Sequence, residues 1–381
     1  MSRGAFTAVT IAMMAVSTVS GSGQQMTQAQ QDQRVHLNQI QVIGSHNSYH
    51  AGFAPSERKF LEEHHPKTLR GLDYKHAPLA QQLDSGVRQV EIDIFNDPEG
   101  GKFAHPMIVN MVAAAHLPPD PDFDPDHEME KPGFKVMHVQ GIDERSTCHT
   151  FVKCLTQIRT WSQQHPQHLP VFILVETKEG VPSELPNAPR GDVFTPAIFD
   201  AMDAEIRSVF QPGEMIMPDQ VRGNAKTLNE AIRAQGWPTL AEARGKVVFL
   251  LDQAHAGPVY AEGHPSLHGR ILFTNSQPGL PEAAFVEQND GTKDAIDTLV
   301  TQGYLVRTRT DEATEQARTN DRTRLDRALS SGAQILSTDY PPAERSQWTD
   351  YVVSFPGGLI ARCNPVNKPA GCVDSLLEGQ K

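Results

Sequence analysis

The sequence predicts an α/β protein built as a parallel (β/α)8 TIM barrel with long loop insertions, and three observations carry that expectation. Eight short β-prone runs recur along the chain, with helical or loop-rich segments between most of them. Several of the runs are continuously apolar, as strands covered on both faces are. Groups fit for metal binding or proton transfer stand at the C-terminal ends of the runs, where barrel active sites collect.

The chain opens on a processing segment. Arg3 gives a short basic start, Ala5 to Val19 is mostly apolar and uncharged, and Ser20-Gly21-Ser22-Gly23 offers small residues for cleavage, so 1–23 reads as a signal peptide. The apolar run is too short for a comfortable membrane span. Residues 24–36, Gln-rich from Gln24 to Gln33, read as a flexible leader. The expected mature protein is secreted, extracellular or periplasmic, with no transmembrane segment. Residues 37–381 form a single domain, since no repeat or clear linker divides them.

The strands are expected at 39–43, 89–95, 135–139, 171–177, 246–252, 270–273, 304–308 and 334–338. Crossover helices are expected at 79–86, 150–164, 197–210, 228–235 and 318–331. Polar groups at or just beyond the strand ends include His46, Glu91 and Asp93, His138, Glu176 and Lys178, Asp252, Asn275, Arg307 and Arg309, and Asp339. Residues 118–133 form an acidic inserted loop. It fails the EF-hand pattern, with Pro125 sixth and Lys131 twelfth from Asp120, and reads as solvated. Residues 354–372, rich in Gly, Pro and Asn, read as a C-terminal cap held by a disulfide.

Charge and cysteine usage narrow the function classes. Lys plus Arg number 34 against 46 acidic residues, a net charge of −12, which disfavours nucleic-acid binding and nonspecific attraction to anionic membranes. An acidic protein still holds an anionic headgroup if a metal reverses the local field. Cys148 with Cys154 and Cys363 with Cys372 make two close pairs, read in an exported chain as local disulfides. Neither pair has the spacing of a zinc knuckle. No G-x-S-x-G elbow, H-E-x-x-H helix or Walker loop is present.

Glu91 and Asp93 are two apart, so both point to one face of their strand. With Asn47 and Glu176 they make an all-oxygen set, suited to calcium or magnesium rather than zinc or copper. The alternative pairs these carboxylates with Arg88, Lys178, Arg307 or Arg309 in rim salt bridges. His46 and His138 end strands on the same rim and are the proton-transfer candidates. His50, His64, His65 and His76 fall in loops without an assigned role.

Ser45-His46-Asn47-Ser48-Tyr49, Arg88-Gln89-Val90-Glu91-Ile92-Asp93, Val136-Met137-His138 and Leu174-Val175-Glu176 together resemble the catalytic half of calcium-dependent phosphoinositide-specific phospholipases C. Across its length the chain is most similar to their small secreted bacterial and fungal relatives, within the wider group of barrel phosphodiesterases. The motifs are specific from Ile43 to Lys178. Beyond that the likeness rests on Leu250-Leu251-Asp252, Arg307-Thr308-Arg309-Thr310-Asp311 and Ser337-Thr338-Asp339-Tyr340-Pro341.

The resemblance implies an acid/base pair at His46 and His138 and calcium on Asn47, Glu91, Asp93 and Glu176. It implies attack of the inositol 2-hydroxyl of phosphatidylinositol at a membrane surface, giving diacylglycerol and a cyclic inositol phosphate. The family's downstream substrate-binding lysines and arginine have no matched position. Lys178, Arg307 and Arg309 take the phosphate-binding role by strand-end position, and the chain leaves no room for the targeting and EF-hand modules of large eukaryotic members. The rivals are another metal-dependent phosphodiesterase of the same barrel type, acting on glycerophosphodiesters or sphingolipids, and a non-catalytic secreted lipid- or glycan-binding protein.

Overall fold

The computed structural model describes residues 1, 4 and 26–378; the expected signal peptide lies outside them except at residues 1 and 4. Ten strands are present among the described residues: β1 Ile40–Ser45, β2 Gln89–Phe95, β3 Lys135–Val136, β4 Val171–Thr177, β5 Val247–Leu251, β6 Phe273–Thr274, β7 Phe285–Glu287, β8 Leu305–Arg309, β9 Ile335–Thr338 and β10 Ala361–Cys363. Eight of them run parallel in the order β6-β5-β4-β2-β1-β9-β8-β7. One parallel bridge, Asn275 with Phe285, brings the two ends of that path together, so the barrel is nearly closed.

Two corrections to the expected strands follow. Residues 135–139 are not a barrel stave: only Lys135–Val136 pairs, antiparallel, with the last residues of β2, Ile94 facing Val136. The eighth stave is β7, three residues long and too short to show a period of its own. His138 therefore reaches the rim on an extension of β2 rather than at the end of a stave.

Burial explains why the staves read as apolar runs. Phe172 to Val175 of β4 and all of β5 are completely buried, between the barrel interior and an outer layer of helices. Helix Phe151–Gln164 is typical of that layer. Thr150 caps its first turn by accepting from Lys153 N, and Phe151, Cys154, Leu155, Ile158 and Trp161 make one buried stripe. Helices Pro196–Val209, Lys293–Thr301 and Thr323–Ser331 bury apolar faces in the same way.

Cys148–Cys154 and Cys363–Cys372 are both bonded. The second disulfide joins β10, antiparallel to the first half of β1, to the chain end. Residues 24–36 were expected to be a flexible leader, but Gln28–Asp32 is a capped helix whose Asp32 carboxylate pairs with Arg244 and whose Gln31 bonds Val373. The acidic insertion is likewise not simply solvated. Asp120 accepts from Ser56 N and Glu57 N at the start of helix Pro55–His64, and buried Asp124 accepts from Glu128 N and Met129 N. Among the described residues no helix is long and apolar enough to cross a membrane.

Candidate active site

The site begins where β1 stops. Gly44 is the only residue of β1 in register with β2, opposite Gln89, and the chain then turns through His46 and Asn47. Asn47 takes a left-handed conformation (φ 46°), which asparagine tolerates better than most residues. Tyr74 Oη accepts from Asn47 Nδ2 at 2.8 Å, while Asn47 Oδ1 is buried without a hydrogen-bond partner.

β2 and β4 lie in register with Asp93 beside Glu176. Glu91, Asp93 and Glu176 each offer one oxygen, all within 4.8 Å of one another. Burial pushes the Glu91 carboxyl up to about 8 against the pull of Arg307. Burial and then the neighbouring Glu176 push Asp93 up to about 8 as well. Burial acts on Glu176 in the same sense, but Lys178 outweighs it and holds that carboxyl below its usual range.

These residues fit a hard divalent cation. Three carboxylates crowd a largely dry site, and the Asn47 Oδ1 atom has no other partner; oxygen donors of this kind suit calcium or magnesium.

The expected phosphate-binding cations all face carboxylates. Lys178 Nζ lies 2.9 Å from Asp93 and 3.0 Å from Glu176. Arg307 Nη2 is 2.5 Å from Glu91 and bonds Ser337 Oγ, and its Nη1 approaches Glu287 at 3.4 Å. Arg309 Nη2 lies 3.2 Å from Asp339. The rim salt bridges weighed as an alternative thus exist for Lys178 and Arg307, whereas Arg88 lies elsewhere, on Glu378. Arg307 and Arg309 each keep an Nε–H without a partner.

Both histidines are tied through Nδ1 to a buried carboxylate. His46 Nδ1 is 2.7 Å from Asp339, and its Nε2 faces Glu91 at 3.4 Å. His138 Nδ1 is 3.0 Å from Asp143. Burial lowers the pKa of each; Arg309 and Arg307 lower His46 further. Asp143, Tyr74 and Glu287 belong to this constellation and were missed in the sequence, and His50, noted there as a loop histidine, bonds Asp143. Only the spacing of Asp143, five residues past His138, offered a signal for any of them.

The profile described as phosphoinositide phospholipase C, Ca2+-dependent, matches residues 35–365. Among solved structures, one crystal form of a calcium-dependent phosphoinositol-specific phospholipase C from a Gram-negative Pseudomonas species superposes with TM-score 0.53 at 16% identity, covering 87% of this chain and 96% of that one. Another crystal form of it gives TM-score 0.54 at 14% identity over the same shares. Those likenesses carry the fold, and the profile carries the family. No curated protein matches the chain in sequence.

Proposed function

The chain belongs to the calcium-dependent phosphoinositide phospholipase C family, and from that premise we propose that it cleaves phosphatidylinositol at a membrane surface to diacylglycerol and a cyclic inositol phosphate. The observation that carries this reading is the meeting on one barrel rim of an oxygen cluster and two carboxylate-anchored histidines. The proposed protein is secreted, extracellular or periplasmic, once its signal peptide is removed.

Asn47, Glu91, Asp93 and Glu176 would hold the calcium ion. Bound calcium would supply positive charge that lowers the pKa of the inositol 2-hydroxyl and offsets charge growing on the phosphoryl group. The hydroxyl attacks phosphorus and a carboxylate of the cluster takes its proton. His46, anchored at Nδ1 by Asp339, directs Nε2 toward the cluster and, in the protonated form that an anionic phosphodiester beside it favours, donates to the phosphoryl oxygens. His138, anchored at Nδ1 by Asp143, delivers a proton from Nε2 to the diacylglycerol oxygen as its bond to phosphorus breaks. Burial keeps free His138 neutral, and an anionic phosphodiester beside it favours the protonated form, so that proton arrives with substrate. Lys178 and the unpartnered Nε–H groups of Arg307 and Arg309 add donors for the phosphate. In a second step water opens the cyclic product with the proton roles reversed.

Phosphorus NMR of phosphatidylinositol vesicles with the purified mature protein tests this. A cyclic inositol phosphate signal is expected with calcium and not with chelator. His46→Ala and His138→Ala are each expected to lower the rate by about 10²-fold or more, with near-normal melting. A normal rate in His46→Ala sinks the mechanism. Absence of any inositol product from the wild type sinks the substrate and turns attention to glycerophosphodiesters and sphingolipids.

A further inference from the structure

We propose that Asp143 and His50 form a clamp that positions His138, one buried carboxylate shared between two histidines, and that the departure of the lipid oxygen depends on it. This rests on the reading of His138 as the group that protonates that oxygen.

Asp143 sits in a tight antiparallel turn that returns directly onto His138. Its backbone oxygen accepts from His138 N at 3.2 Å and Val139 N at 3.1 Å, and its own N–H bonds Val139 O at 2.8 Å. The side chain is fully buried and meets two rings. His138 Nδ1 stands 3.0 Å from Oδ2, and His50 Nε2 stands 2.8 Å from Oδ1 and 3.0 Å from Oδ2. The rings meet edge-on, 76° apart, with centroids separated by 6.1 Å. His50 comes from the loop that also carries His46 and Asn47. Its ring is buried against Tyr74 at 4.8 Å, and Tyr74 in turn bonds Asn47.

An ionised carboxylate only accepts hydrogen bonds, so both facing ring nitrogens must carry protons. For neutral His138 this selects the tautomer with hydrogen on Nδ1 and leaves Nε2 as its proton-exchange atom. Buried carboxylates orient catalytic imidazoles in this way in other acid–base sites. One partner would hold a single oxygen of Asp143 and leave the group free to swing about its terminal torsion. His50 closes that freedom by spanning both oxygens. In the reaction the inositol oxygen bonds to phosphorus, the phosphorus–glycerol oxygen bond breaks, and the proton leaves His138 Nε2 for the glycerol oxygen. Asp143 and His50 are positioning residues throughout and touch no reacting atom.

The test uses the whole mature protein on phosphatidylinositol and on inositol 4-nitrophenyl phosphate, whose leaving group departs without a proton. Asp143→Asn is expected to lower kcat on phosphatidylinositol by about 10²-fold, leave KM near its wild-type value and lower kcat on the nitrophenyl ester by no more than about threefold. Added to His138→Ala, it is expected to cost nothing more. His50→Phe, which fills the ring's place without a donor, is expected to repeat this dependence on leaving group. His50→Gln, which keeps an N–H for the carboxylate, is expected to retain activity. The His50 variants decide the matter if Asp143→Asn does not fold. Equal losses on the two substrates, or a further loss in the His138→Ala background, overturn the clamp and make it a loop pin only. A wild-type protein that turns over neither substrate overturns the reading of the site, and the clamp with it.

Discussion

Glu144, the neighbour of Asp143, is a carboxyl that the fold prefers uncharged. One oxygen accepts from Gly141 N and the other is buried without a partner. Burial pushes the group up to about 8 from an ordinary 4.5. The sign of its effect follows from linkage. Between those two values the folded state holds a proton that the unfolded chain has released, so this group's contribution to stability falls as pH rises through the window and is flat above it. Glu144→Gln reproduces the neutral form at every pH. Its melting temperature is expected to fall less than that of the wild type between pH 5 and pH 8, and to exceed it above pH 8. Parallel melting curves for the two proteins across that range would show that Glu144 ionises freely. At this scale the sequence was most legible where a polar candidate stands in or just after an apolar run, as His46, Glu91, Asp93 and Glu176 do, since the fold brings these four to one rim. It was least legible for Asp143, His50 and Tyr74, whose roles arise from loops packing on one another. Lys178, Arg307 and Arg309 were legible as cations at strand ends but not as partners of the carboxylates, since pairing depends on which staves become neighbours.

Among the elements, β1 fits closely against β2. It faces β9 over four residues but meets β2 at Gly44 alone, just before His46 and Asn47. A methyl group at Gly44 would lie 1.9 Å from Gln89 Oε1 and 2.7 Å from both Cβ and Cδ of that side chain. The tip of Gln89 can swing away, but its Cβ moves only with β2. Gly44→Ala is therefore expected to cost about 1–3 kcal/mol, the range for overpacking a filled interior. It should also lower kcat, because the displaced strand carries a histidine and a proposed metal ligand on its next turn. Denaturant unfolding and steady-state rates measure both, and unchanged stability would mean that the two strands separate without penalty. The staves β2, β4 and β5 were legible because burial on both faces leaves a long apolar run. β7 was not, because three residues carry no period, and 135–139 misled because a short apolar run on an antiparallel extension looks like a stave.

The molecule as a whole divides its labour between the two ends of the barrel. The groups proposed for chemistry lie on the staves, as Glu91, Asp93, Glu176, Arg307 and Arg309 do, or just past their C-terminal ends, while helix Gln28–Asp32 and the segment around Val373 meet at the other end. There β10 pairs with Ile40, Gln41 and Val42, the entering half of β1. Cys363 N donates to Asp374 at 2.7 Å, Val373 N donates to Gln31, and Glu378 pairs with Arg88, itself buried and stacked over Trp161. The Cys363–Cys372 bond closes this cap. A loop of that length restricts the unfolded chain by about 2–3 kcal/mol in the chain-entropy account. Replacing both cysteines by serine should thus lower the melting temperature by roughly a few degrees. The site, reached from the cap only along the length of the staves, should keep its kcat at temperatures where the variant is folded. Rates and melting curves measured together separate the possibilities. Loss of stability with kcat intact is the expected pattern for a cap that only holds the barrel closed. A fall in kcat at unchanged stability would mean instead that β1 transmits strain from its paired first half to His46 and Asn47 at its far end.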